Sequence, residues 1–235
     1  MRKRKAFTLA EMLIVIAIIG IIASVVTPML FGTTSDAVLK AAWKKSYSDL
    51  TQATMMIVAD NGGSLAGAFP GDVAGTEDFK NAFASKLNII KDCSGSSTYG
   101  GSGTGAGADG CWHSTGTGNW YFLNGKTISA GGSGVCNSGL ILNNGSLIYF
   151  GIDNSNCSQT AGDYTRCGYV IIDVNGFKKP NTVGKDIFAV NITSNALIPW
   201  GARGLADPST TCIEGSTAAD NTNTGYGCSA KYLYE

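Results

Sequence analysis

Phe7 to Phe31 reads FTLAEMLIVIAIIGIIASVVTPMLF, and MRKRKA (Met1 to Ala6) stands directly before it. From Met12 to Phe31 no residue is charged. Twenty residues at about 1.5 Å rise match the roughly 30 Å hydrocarbon core of a bilayer, so a membrane-spanning helix over Phe7 to Phe31 is expected. Arg2, Lys3, Arg4 and Lys5 precede the run, and positive charge ahead of a span holds that end in the cytoplasm. The topology expected is therefore single-pass across the cytoplasmic membrane, with everything after Phe31 outside. One carboxylate, Glu11, lies at the edge of the run, where lipid makes an unpaired acid costly. It needs a partner.

The helix continues past the apolar run. Ser35 to Asp60 contains no proline, and Trp43, Tyr47, Leu50, Thr54 and Ile57 recur at spacings of four and three, one face of an amphipathic helix. Asn61-Gly62-Gly63 supplies the stop. Unbroken from Phe7 to Asn61, this helix would be about 80 Å long. Pro28 removes one backbone donor, so a kink or loosening is expected between Gly20 and Pro28. A second short helix is expected over Glu77 to Leu87, with Phe79, Phe83 and Leu87 on one face and Thr76 as its N-cap.

Strand signals follow. Trp120 to Leu123 and Thr127-Ile128 flank Asn124-Gly125, and Leu140 to Leu142 and Leu147 to Phe150 flank Asn143 to Ser146. Both pairs carry the hairpin signature of an Asn-Gly step between apolar runs. Tyr169 to Val174 and Ile187 to Ile192 are two further strands. The fold class expected is α+β: a long N-terminal helix, half transmembrane and half amphipathic, packed on a mainly antiparallel sheet of four to six strands.

Composition bounds the function. The balance is 17 basic against 17 acidic residues, and without Arg2, Lys3, Arg4 and Lys5 it is 13 against 17, a charge of −4 for the rest of the chain. That gives no electrostatic case for direct nucleic-acid binding. Thirty-two glycines and only 14% charged residues favour β-structure with tight loops. Seven cysteines beyond a span, none in a C-x-x-C pair, indicate disulfides rather than metal thiolates. The one histidine, His113, stands in a Gly-rich segment without the partners a catalytic triad needs. Gly125-Lys126-Thr127 resembles the end of a P-loop, but Trp120 occupies the position of its first glycine. No catalytic residue is expected, and the protein is expected not to be an enzyme.

Lys5-Ala6-Phe7-Thr8-Leu9-Ala10-Glu11 and the apolar run after it resemble the class III signal of type IV pilins and pseudopilins. The resemblance implies cleavage between Ala6 and Phe7 by a prepilin peptidase, and N-methylation of Phe7. It implies that Glu11 pairs with the amine of Phe7 on a neighbouring subunit during assembly. Gly20 and Pro28 fall where such pilins commonly carry a Gly and a Pro. Ala6 departs from the usual Gly at the cleavage site. On this resemblance the chain divides into a leader (1–6), a transmembrane and filament-core helix (7–31) and an extracytoplasmic pilin-like domain (32–235).

The function implied is a structural subunit of a type IV pilus or related filament. The alternatives are a pseudopilin of a type II secretion system or a minor pilin. A membrane-tethered binding protein or enzyme is a rival from another class. Partners implied are copies of itself or related pilins, the peptidase, an assembly platform with its ATPase, and the membrane before assembly. The location implied is the inner membrane first, then an extracellular filament or a periplasmic pseudopilus.

Two further features concern the outer domain. Asp173, Asn175, Asn181 and Asp186 lie in DVNGFKKPNTVGKD between two strand candidates. They offer oxygen ligands of the kind a hard cation such as Ca²⁺ takes. The segment resembles a D-x-N-G…P-N…G-x-D-x-F stretch of many bacterial pilin-like proteins, and some pseudopilins bind calcium in a comparable loop. Asp, Asn, Gly and Pro also simply build turns, and Lys178, Lys179 and Lys185 would repel a cation. Both readings stay open.

Three disulfides are expected. Cys93–Cys111 would staple the Gly-rich loop and Cys157–Cys167 would close a turn. Cys212–Cys228 would constrain an apolar-poor tail by about 3 kcal/mol, as in the disulfide-closed C-terminal region of many type IV pilins. Cys136 is left over, either as a free thiol or as a sign of another pairing.

Overall fold

A computed structural model of the chain describes residues 8–94, 120–128, 138–215 and 222–235, without the side chains of 23, 25–35, 73 and 94. The leader, Phe7, Cys111, His113 and Cys136 lie outside the described residues. Helix α1 runs over Leu9–Asp60. The chain divides into two compact units, Met1–Val38 and Leu39–Glu235.

In the first unit α1 passes through Gly20 and Pro28 without interruption. Proline's fixed φ is close to the helical value, so the loss of one backbone donor does not end the helix. Every Leu, Ile, Val and Met from Leu9 to Ile22 is at least 50% exposed. Among the described residues no helix is long and apolar enough to cross a membrane. The expected span begins at Phe7 and includes the side chains of 25–31, all outside what is described.

The second unit is built around a six-stranded sheet. The strands are β1 Ile89–Ser94, β2 Trp120–Tyr121, β3 Thr127–Ile128, β4 Ser138–Leu142 and β5 Leu147–Ile152, followed by β6 Gln159–Ala161, β7 Tyr164–Arg166, β8 Gly168–Asp173, β9 Ile187–Ile192 and β10 Leu197–Pro199. The large sheet has the order β1-β4-β5-β8-β9-β10 with every pairing antiparallel. Two-stranded ribbons form from β2-β3 and β6-β7.

Parity along the central strands sorts the core into two layers. Ile148, Phe150, Val170, Ile172, Phe188 and Val190 share one face with Leu39, Trp43, Leu50, Ala53 and Ile57 of α1. Leu147, Tyr149, Tyr169, Ile171, Ile187 and Ala189 occupy the other face, against Trp120, Trp200 and Tyr226. Both faces are covered, so these antiparallel strands read as continuous apolar runs rather than alternating ones. A slip of one residue would exchange the two layers, so register is strongly specified.

Trp43 joins helix to sheet: its indole stacks on Phe188 with ring centroids 4.7 Å apart, and its Nε1 donates to the Ser229 carbonyl at 3.0 Å. The end of α1 is closed as expected. Gly63 N donates to Val58 O and Gly62 N to Ala59 O, with Gly62 at φ 73°. This is the left-handed cap that glycine adopts without a Cβ penalty.

Helix α2 spans Val73–Ala84, four residues earlier than the apolar spacing suggests, and its N-cap is Asp72. The Asp72 carboxylate accepts from Gly75 N at 2.9 Å. Thr76, the expected cap, is buried inside the helix and accepts instead from Ile152 N at 3.0 Å, tying α2 to β5. The C-terminal tail also differs from expectation. It holds α3 Pro208–Thr211 and α4 Cys228–Tyr234, and Cys228, Ser229, Ala230 and Tyr232 are buried. Four well-placed residues anchor a tail that is polar on average. Cys157 is bonded to Cys167 and Cys212 to Cys228. Cys93 is also disulfide-bonded, which leaves Cys111 and Cys136, outside the described residues, as its possible partners.

Candidate functional site

The start of α1 is the first candidate. Thr8 donates twice to Glu11 Oε2, from its backbone N at 2.8 Å and from Oγ1 at 2.8 Å. Glu11 N returns a bond to Thr8 Oγ1 at 3.2 Å. Thr8-Leu9-Ala10-Glu11 is thus a capping box, threonine at the N-cap and glutamate three residues on. The pattern was visible in the sequence and accounts for where the helix begins. It also gives Glu11 a partner inside its own chain through one oxygen. Oε1 has none among the described residues.

Among the described residues Gly20 has no steric reason, since a Cβ there would meet nothing within 4 Å. An exposed apolar surface as continuous as Leu9 to Ile22 marks contact with lipid or protein.

The second candidate is the 174–186 connection between β8 and β9. Asp173 and Asp186 are both fully buried. Asp186 accepts from Asn181 N at 2.7 Å and from Thr182 N at 2.6 Å, one bond to each carboxylate oxygen. Burial holds the Asp186 carboxyl above its ordinary range, against the opposing pull of those N–H groups. Asp173 Oδ1 accepts from Asn175 N at 3.1 Å, and Asn175 Nδ2 donates to Lys179 O at 3.2 Å. Gly184, at φ 83°, packs so closely that a Cβ would lie 2.7 Å from Cys228 Sγ. Tyr121 N donates to Asn181 O at 3.0 Å, and Val183 N to Tyr121 O at 2.9 Å. The connection is therefore a packed corner where sheet, ribbon and tail disulfide meet.

The corner uses its carboxylates mainly to hold its own backbone, the chemistry of a turn. Two acceptors are left: Asn175 Oδ1 and Asn181 Oδ1 are buried without a hydrogen-bond partner among the described residues. A hard cation takes such amide oxygens. Asp173, Asn175, Asn181 and Asp186 would be the donor set, and the three lysines of the loop are exposed. Among the described residues no group of three or more His, Cys, Asp or Glu is placed to hold a metal ion, so any such ligation would rest on the asparagines.

A third polar cluster lies between β7 and β9. Arg166 donates to Asp153 Oδ2 at 3.0 Å and to Asn191 Oδ1 at 3.1 Å, and Asn191 Oδ1 also accepts from Trp200 Nε1 at 2.9 Å. Burial raises the Asp153 carboxyl above its ordinary value while Arg166 pulls it down. Among the described residues the Arg166 Nε has no hydrogen-bond partner, while both terminal nitrogens are bonded, and the cluster locks strands together.

Residues 1–27 match the prokaryotic N-terminal methylation motif, the class III signal of type IV pilins. No curated protein and no solved structure matches the chain.

Proposed function

We propose that the chain is a non-catalytic structural subunit of a type IV pilus or a related filament. The observation that carries this reading is the methylation motif at residues 1–27, set at the start of a helix that presents apolar side chains outward from Leu9 to Ile22. A prepilin peptidase would cut between Ala6 and Phe7 and methylate the new amine. Before assembly the apolar helix lies in the inner membrane with the leader in the cytoplasm. In the filament, burial against identical or related helices replaces burial in lipid.

Glu11 suits its role in this scheme, because both Thr8 donors fall on Oε2. Oε1 is left to receive the Phe7 amine of a neighbour, and a paired carboxylate avoids the cost of an isolated charge in an apolar core. Growth would require a membrane platform and an ATPase that this chain does not supply. A pseudopilin or minor pilin shares all of these features and differs in abundance and location.

The test is Glu11→Ala in cells that produce the filament, followed by shearing. Loss of the chain from the sheared fraction while the membrane pool persists supports the reading. Undiminished recovery would instead favour a membrane-tethered binding protein or enzyme. Calcium in the 174–186 corner is a second reading, favoured by the two unpartnered oxygens of Asn175 and Asn181.

A further inference from the structure

Lys80 stands in the middle of α2 and has no exposed surface. Its Nζ contacts Glu77 Oε1, one turn earlier on the same helix, and Asp92 Oδ1 on β1. Glu77 turns its other oxygen, Oε2, to the hydroxyl of Ser138 on β4, and Ser138 is itself buried. Phe79, Cys93 and Leu140 are buried next to these residues in sequence or across the β1-β4 register.

Withdrawing an ammonium from water costs several kcal/mol, and one carboxylate is enough to neutralise it. Here two carboxylates converge on one amine, and one of them is fixed in place by a hydroxyl. An amine, a carboxyl in contact with it and a second, positioned carboxyl are the nucleophile, the electrophile and the proton carrier of amide formation.

We propose that Lys80 Nζ and Asp92 Cγ are joined by an amide bond that forms within the folded chain. Glu77 takes a proton from the Lys80 ammonium and delivers it to the Asp92 carboxylate, leaving a neutral amine beside a neutral acid. Nζ adds to Cγ. A second proton passes from nitrogen through Glu77 to the departing hydroxyl, the C–O bond breaks, and one water leaves. Ammonium and carboxylate become amide and water, with no change of oxidation state and no cofactor.

Holding the groups in contact supplies an effective concentration on the order of 10⁵ M or more, which offsets the tendency of amides to hydrolyse in water. The amine is sealed, whereas the Asp92 side chain is 42% exposed, so the released water has a way out. Glu77 suits the carrier role rather than the electrophile, because Ser138 orients it and a bond to it would only link two residues of one helix.

The bond would act at one edge of the sheet. Among the described residues β1 is an edge strand, paired only with β4 and with an irregular register between Ile89 and Lys91. An amide to Lys80 fixes that edge to α2, which packs Phe79 and Phe83 against Phe150 of β5. In a filament under tension, this edge strand would be covalently held.

Mass spectrometry of the full-length chain, with disulfides reduced, tests this directly. The expected chain is one water lighter than its sequence, with tryptic cleavage after Lys80 blocked and the Lys80 peptide linked through Asp92. Glu77→Gln and Lys80→Arg are each expected to restore the full mass. A wild-type chain of full mass, cut normally after Lys80, overturns the proposal whether or not the variants fold. A link found at Glu77 overturns the choice of Asp92, and a Glu77→Gln chain that is still lighter overturns the role of Glu77.

Discussion

Replacing Trp43 should unseat the half of α1 that belongs to the sheet unit. The indole is fully buried, stacked on Phe188 at 4.7 Å and bonded to the Ser229 carbonyl at 3.0 Å. Trp43→Ala removes the ring and leaves that carbonyl, on a buried residue of α4, without its donor. A buried Trp→Ala change costs about 3–5 kcal/mol, and an orphaned acceptor falls within the same sum rather than adding fully to it. With a urea slope of about 2 kcal/mol/M, a loss of about 4 kcal/mol lowers the unfolding midpoint by about 2 M. Trp43→Phe keeps a ring on Phe188 and loses the bond and some volume, so its shift should be about a third as large, near 0.7 M. Urea titration of the three chains by circular dichroism, in the same detergent, gives the comparison. If Trp43→Ala moved the midpoint by less than about 0.5 M, the packing of helix on sheet described here would be wrong.

Two further outcomes follow from the polar contacts. Glu214 accepts from Lys40 Nζ at 2.7 Å and from Tyr232 Oη at 2.7 Å, and these bonds hold its carboxyl below the ordinary value of 4.5. A lowered folded pKa contributes stability above the unfolded value and loses it as pH falls through the folded one. Wild type should therefore lose more stability than Glu214→Gln on acidification below 4.5, while the neutral-pH difference stays within about 1 kcal/mol because the group is exposed. For the 174–186 corner, calcium should raise the melting temperature of wild type and leave Asp173→Ala unmoved; a wild type indifferent to calcium and to chelator leaves only the turn.

The long-range plan was legible wherever apolar spacing was strong. The stripe from Trp43 to Ile57 and the runs around Ile148, Val170 and Phe188 placed helix and sheet, because burial on that scale dominates local preference. β1 was hidden by Lys91 and Asp92, which interrupt its apolar pattern, and by its irregular register. The start of α2 was hidden by Gly75 in its first turn, although Asp72 offered the cap. Lys80 resembled a solvent-facing residue of an amphipathic helix. Its partner Asp92 lies 12 residues away, and Ser138, which bonds Glu77, lies 61 residues from that glutamate; the pairing of β1 with β4 brings the two together. At the N-terminus the motif could be read directly, since processing depends on a short local stretch rather than on the fold.

The most direct test of the filament account is mass spectrometry of filaments sheared from cells that make this chain, reading the N-terminal peptide and its abundance. The account predicts a chain beginning at N-methylated Phe7 within the sheared material. A chain that keeps Met1 and never leaves the cell envelope would contradict it.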